Sequence, residues 1–302
     1  MSALMTLTAA ALWLVSGASR RDFSGSGYLR RVDPVRSVAP PPADAVSSGE
    51  LTESTIGGRT VFRWRPRDHH PDRELIYFPG GAFVHPLVRA HWWIIRRLQE
   101  QTKAAITIAQ YPLTPEQTIH DARPFVDAVY DEVAARATTR QLFVVGDSAG
   151  GNVAATLALR LRDGRRRMPD GLILLAPWVE VGMTNPGAWS RQRRDPTLRC
   201  TGLRAAAVAW AGGLPLEDPQ LSPLRDGGAG LPPTLLFQGG RDVFHDDVVA
   251  LAERWRSAGT RVRLVVAEDG FHVYPGAFWT REARDAYALM GEFVADPEAV
   301  TR

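Results

Sequence analysis

Cysteine is nearly missing from this 302-residue chain: Cys200 is the only one. An intramolecular disulfide and a cysteine-rich metal site are therefore excluded. This usage fits a reducing compartment. A strong excess of one charge is also missing, since 36 basic side chains face 33 acidic ones for a net +3. The densest basic cluster, Arg165 to Arg167, follows a helix-like segment and reads as a solvated helix end, so no nucleic-acid partner is expected. Neither the dinucleotide G-x-G-x-x-G pattern nor a P-loop occurs in a strand–helix context, and no metal or other cofactor is expected. No internal repeat is visible.

Long apolar runs are scarce as well. Residues 2–19 carry no charge and include "ALMTLTAAALWLV", which is too short to span a bilayer with ease. Ser16-Gly17-Ala18 offers a small-x-small site, yet no Lys or Arg precedes the run as a secretory leader requires. An amphipathic or buried helix is expected here, with a signal peptide or membrane anchor as the alternative. Membrane association is not expected, and a cytoplasmic location is the first reading, with secretion or anchoring second.

What the chain does have is an ordinary globular composition, 45% hydrophobic and 23% charged, and enough length for one large domain with a sizeable core. After a Pro/Ser-rich stretch near residues 39–50, two alternating runs flank Gly57-Gly58, a two-residue hairpin signal. From there short apolar runs at 74–78, 104–110, 141–146, 171–177, 233–239 and 261–267 alternate with helical patterns at 91–101, 119–135, 150–162, 246–257 and 280–295. That rhythm predicts an α/β fold, a mostly parallel sheet covered on both faces, with the hairpin at its edge. Residues 182–222 interrupt the rhythm and read as an insertion.

Gly146-Asp147-Ser148-Ala149-Gly150 lies between a predicted strand and a predicted helix. In that context G-x-S-x-G reads as a nucleophile elbow, a sharp turn that exposes the serine. A serine nucleophile needs a base, and the base needs an orienting carboxylate. Downstream of Ser148 the only histidines are His245 and His272. His272 follows the last predicted strand and is favoured as base; His245 starts a helix. Asp242 follows the preceding strand and is favoured as acid. Asp246 and Asp247 read as first-turn helix charges, and Glu268 and Asp269 share the loop of His272. Oxyanion donors are expected from the N–H groups of Ala149 and of Gly80 and Gly81 in "PGGAF". Phe83, Trp92, Trp93, Trp178, Trp210 and Phe244 are candidate pocket walls by their nearness to these loops.

With those residues in view, the chain resembles the hormone-sensitive-lipase-like carboxylesterases of the α/β-hydrolase superfamily. "YFPGGAF" (77–83) is similar to that family's Y-F-H-G-G-G-F, "YPLTPE" (111–116) to Y-R-L-A-P-E, and "GDSAGGN" to its elbow block. "DPQLSPL" (218–224) resembles D-P-x-x-S-P-L, "GGRDVFHDD" resembles G-x-x-D-P-L-x-D-E, and "FHVYP" its histidine loop. The resemblance implies an α/β-hydrolase fold in a single domain over residues 1–302, with a helical cap from about 1–45 and the insertion at 182–222. It implies Ser148 as nucleophile, Asp242 as acid, His272 as base, and a small-molecule ester as partner. The sequence is compatible with a homodimer. Three departures stand out: Pro79 replaces the motif's histidine, Ala82 its third glycine, and Val273 a glycine common after the base. A lactonase, amidase or deacetylase would use the same triad, and a non-catalytic receptor commonly lacks one member of it. A chymotrypsin-like protease would need the opposite residue order and an all-β fold.

Overall fold

The computed structural model describes residues 3–15, 27–32, 36–43, 49–70, 72–136 and 140–301. Parts of the N-terminal region expected to form a cap therefore lie outside the described residues. Helix α1 (Ala3–Val15) precedes strands β1 (Gly49–Ile56), β2 (Arg59–Pro66) and β3 (Arg73–Phe78). Helix α2 (Arg89–Thr102), β4 (Ala105–Ala109), helix α3 (Ile119–Ala135) and β5 (Gln141–Asp147) follow. Next come α4 (Ala149–Asp163), β6 (Gly171–Leu175), and two insertion helices, α5 (Pro186–Arg191) and α6 (Cys200–Ala211). The chain closes with β7 (Thr234–Gly239), α7 (His245–Ser257), β8 (Val262–Ala267), α8 (Arg281–Ala295) and the short α9 (Pro297–Val300).

The eight strands form one sheet in the order β1-β2-β4-β3-β5-β6-β7-β8. The β1–β2 hairpin turns at Gly57-Gly58 and lies at the edge, and β2 runs antiparallel to β4. All pairs from β4 through β8 are parallel. Every residue of β4, β6 and β7 is buried, as expected for strands covered on both faces. Helices α3, α4 and α7 cover one face, where Phe125, Val129, Leu157 and Leu251 join the core. Helices α2 and α8 cover the other, with Ile95, Leu98, Met290 and Phe293 inside. The buried positions His91, Ile94, Ile95 and Leu98 of α2 recur at helical spacing, so one stripe faces the sheet.

Local chemistry fixes where these helices begin. Thr118 caps α3, accepting from the His120 N–H at 3.3 Å while its own N–H donates to Asp121 at 2.8 Å. Two orphan donors at the helix start are thereby satisfied reciprocally. Helix α4 starts directly at Ser148, and its small residues are buried almost all round. From α4, Asn152 Nδ2 donates to the carbonyls of Trp178 and Leu221, both at 2.7 Å. That one amide ties the loop after β6 and the "DPQLSPL" segment to the helix carrying the elbow.

Candidate active site

Ser148 has φ +54° and ψ −121°, a conformation that costs of order 1–3 kcal/mol for a non-glycine residue and persists only where its surroundings enforce it. The enforcement is visible. The Ser148 N–H donates to the Leu175 carbonyl at 2.9 Å, and the Ser148 carbonyl accepts from the Asn152 and Trp178 N–H groups at 3.1 and 3.0 Å. Gly150 passes so close to β3 that a Cβ there would lie 2.0 Å from the Phe78 carbonyl oxygen, and one on Gly146 would lie 2.3 Å from that of Gly150. The two glycines of the pentapeptide are thus clearance for the turn.

Strands β7 and β8 bring Asp242 and His272 together. Asp242 Oδ2 lies 2.8 Å from His272 Nδ1, and Asp242 Oδ1 accepts the Phe244 N–H at 2.9 Å. With Nδ1 on the carboxylate, Nε2 is the ring nitrogen left to act on a substrate or nucleophile. Ser148 and His272 line one cavity of about 440 Å³. Burial alone would push the His272 pKa down. The adjacent Asp242 outweighs it, with Asp195 and Asp147 adding, so the imidazole titrates above the ordinary histidine value. The following residue, Val273, sits at φ +54°, the left-handed region that glycine adopts without strain.

The loop after β3 corrects one expectation. The Gly80 N–H donates to Asp147 Oδ1 at 3.0 Å, so it is spent within the protein and does not point free into the cavity as expected. Among the described residues, the N–H groups of Gly81, Ala82 and Ala149 have no protein acceptor. Gly81 and Ala82 line the cavity. Asp147 also accepts the Tyr77 hydroxyl, and His91 Nε2 lies 3.6 Å from its other oxygen. Burial would raise the Asp147 pKa, but His91, Tyr77 and the Gly80 N–H prevail and hold it below its ordinary value. Tyr111 adds a bond from its hydroxyl to the Pro79 carbonyl at 2.9 Å. The loop is therefore braced from Asp147 and Tyr111, although its motif histidine is proline.

A second correction concerns the pocket. Phe83, Trp178, Trp210 and Phe244 are buried and do not line the cavity. Ala82 and Phe83 both take positive φ, 55° and 62°, and this turns the Phe83 ring into the core. There it stacks on Trp210 at 4.5 Å and on Trp178 at 5.3 Å. Trp178 stacks on Phe244 at 5.6 Å, and the Phe244 edge-to-face contact with His272 is 5.3 Å. The four aromatics form a column behind the cavity. Trp92 is buried too, whereas its neighbour Trp93 lines the cavity. The other walls come from Leu12 of α1, Ile94, Leu198, Phe271 and Trp279. Sequence reasoning missed His91, Asp195 and Trp279; none lies in a recognised motif.

The serine elbow, the acid–histidine pair and the sheet order define an α/β hydrolase. The α/β hydrolase fold family matches residues 75–276, and the chain belongs to that family. The relatives it matches are named as an esterase, an acetyl-hydrolase and a triacylglycerol lipase. An esterase of Acinetobacter venetianus is 29% identical over 232 residues, 72% of this chain and 73% of that one. An acetyl-hydrolase of Streptomyces hygroscopicus is 28% identical over 278 residues, 88% of this chain and 87% of that one. The solved structure of an esterase from the bacterial hormone-sensitive lipase family superposes with a TM-score of 0.82 at 22% identity, covering 97% of this chain and 98% of that one. Among the described residues no helix is long and apolar enough to cross a membrane, and no group of three or more His, Cys, Asp or Glu could hold a metal ion.

Proposed function

We propose that the protein is a serine carboxylesterase working through an acyl-enzyme. Ser148 Oγ attacks the ester carbonyl while His272 Nε2 takes its proton. Asp242 holds the imidazole in the required tautomer and stabilises the imidazolium. The N–H groups of Gly81, Ala82 and Ala149 receive the oxyanion; Ala82 takes the place first given to Gly80. His272 then protonates the leaving alcohol, and water clears the acyl group by the reverse sequence. The observation carrying this reading is the strained Ser148 on the same cavity as the Asp242–His272 pair. The apolar walls, Trp93, Ile94 and Trp279 among them, suit an acyl chain better than a charged group. Residues from about 1–45 and 182–222 serve as the cap: Leu12 and Leu198 reach the cavity from those segments.

Replacing Ser148 by alanine is expected to abolish hydrolysis of a short p-nitrophenyl ester and covalent labelling by a fluorophosphonate. Retained hydrolysis by the purified variant would overturn the mechanism. Failure of the native protein to label would favour a non-catalytic receptor.

A further inference from the structure

Asp195 is fully buried in the insertion, between α5 and α6. Its two oxygens face two different parts of the site. Oδ1 accepts the N–H groups of Thr197 and Leu198, both at 2.8 Å, and the Thr197 hydroxyl at 3.1 Å. Thr197 and Leu198 are cavity wall. Oδ2 accepts the Val243 N–H at 3.1 Å, the amide next to Asp242. Consecutive amides of one turn are thus held by two carboxylates: Val243 by Asp195 and Phe244 by Asp242. Arg191 strengthens the same junction, donating to the Gly240 carbonyl at 2.7 Å and pairing with Asp246 at 2.7 Å.

We propose that Asp195 is a positioning residue for the hydrolytic site, locking the Asp242 turn to the Thr197–Leu198 wall and setting a second buried carboxylate behind His272. The proposal rests on the reading of Asp242 and His272 given above. A carboxylate buried without a cationic partner is costly, and substitution by a neutral acceptor would ordinarily relieve it. Here both oxygens accept from donors, Oδ1 from three and Oδ2 from one, and the charge has a use. When His272 becomes an imidazolium in the transition state, the Asp195 charge adds to those of Asp242 and Asp147 in stabilising it. The charges facing His272 are Asp242, Asp195 and Asp147, and His85 and His91 share its cavity. Burial first, and the Asp242 charge second, push the Asp195 pKa up, and the His272 charge opposes them.

The test is Asp195→Asn. An amide can accept on one side only; its Nδ2 would meet either the Val243 N–H or the Thr197 and Leu198 N–H groups, donor against donor. kcat/KM is expected to fall about 10–100-fold, the scale of a displaced catalytic group, with the loss in kcat. The His272 titration midpoint, read by NMR without substrate, is expected to move to lower pH as a negative charge is lost. A wild-type midpoint and wild-type kcat overturn the proposal. A merely structural staple would lower the melting temperature and leave the midpoint in place. The NMR readout needs no turnover, so failure of this proposal is distinguishable from failure of the Ser148 mechanism, which the alanine variant and labelling report. If Asp195→Asn does not fold, amide exchange in the native protein decides: the Val243, Thr197 and Leu198 amides must all be protected, and a Val243 amide exchanging at the unprotected rate overturns the clamp.

Discussion

The Gly80 N–H and the Asp147 carboxylate meet at 3.0 Å, one residue before the serine. The loop after β3 and the elbow after β5 are thereby one unit. A Cβ on Gly80 would lie 2.3 Å from Asp147 Oδ2 and 3.0 Å from the Ser148 Cβ, so no side chain fits between them. The orientation of the Gly81 and Ala82 amides depends on this bond.

Replacing Asp147 by alanine should therefore weaken the proposed oxyanion site. The Tyr77 hydroxyl and the Gly80 N–H both donate to Asp147 Oδ1, and alanine leaves them without that acceptor. kcat should drop about 10²–10³-fold, comparable to losing an oxyanion donor, with KM for a short ester changed far less. Steady-state kinetics on the purified variant checks this; kcat within a factor of two of wild type would show that the brace is dispensable.

Asp242→Asn should keep the fold and lose about 10⁴-fold in kcat, because an amide at Oδ2 favours the wrong histidine tautomer. Circular dichroism with kinetics separates this from unfolding.

The pH profile has a definite sign. In the proposed mechanism His272 must be neutral to act as base, and its pKa stands above the ordinary value of about 6.5. kcat/KM should rise with pH through a midpoint above that value. Stability follows the same group. A raised folded-state pKa stabilises the fold below the unfolded value, and this contribution disappears as pH climbs through the folded one. Asp147, held low, acts oppositely: its contribution is present above the ordinary carboxylate range and is lost as pH falls through its folded value. A pH–rate series with parallel thermal melts tests both.

The aromatic column and the cavity wall should separate cleanly under mutation. Trp210→Ala removes a buried ring stacked at 4.5 Å on Phe83 and should cost about 3–5 kcal/mol of stability, with little change in KM. Trp279 is 41% exposed and lines the cavity, so Trp279→Ala should change KM for longer acyl esters and leave the melting temperature close to wild type. Denaturation curves and a p-nitrophenyl ester series decide; a Trp210 variant that alters acyl preference without loss of stability would contradict the assignment.

The fold was legible because parallel strands buried on both faces announce themselves as short apolar runs, and Gly57-Gly58 marks its hairpin. Asp242 and His272 were legible as partners because each follows a predicted strand of a parallel sheet, and parallel strands end at the same edge. The Gly80 bond was not, since it depends on which way the Asp147 side chain turns across two strands. Nor was the burial of Phe83, where two successive left-handed residues aim the ring inward. Asp195 carries no motif at all. Its significance comes from Val243, 48 positions away in the chain.

The strand order has a consequence for how the protein is made. Ser148 follows the fifth strand, Asp242 the seventh and His272 the eighth. A nascent chain that has emerged only through α7 holds the serine and the carboxylate but not the imidazole. Ester cleavage should therefore switch on late, when the last strand docks beside β7, so that an unfinished chain on the ribosome carries an inert serine.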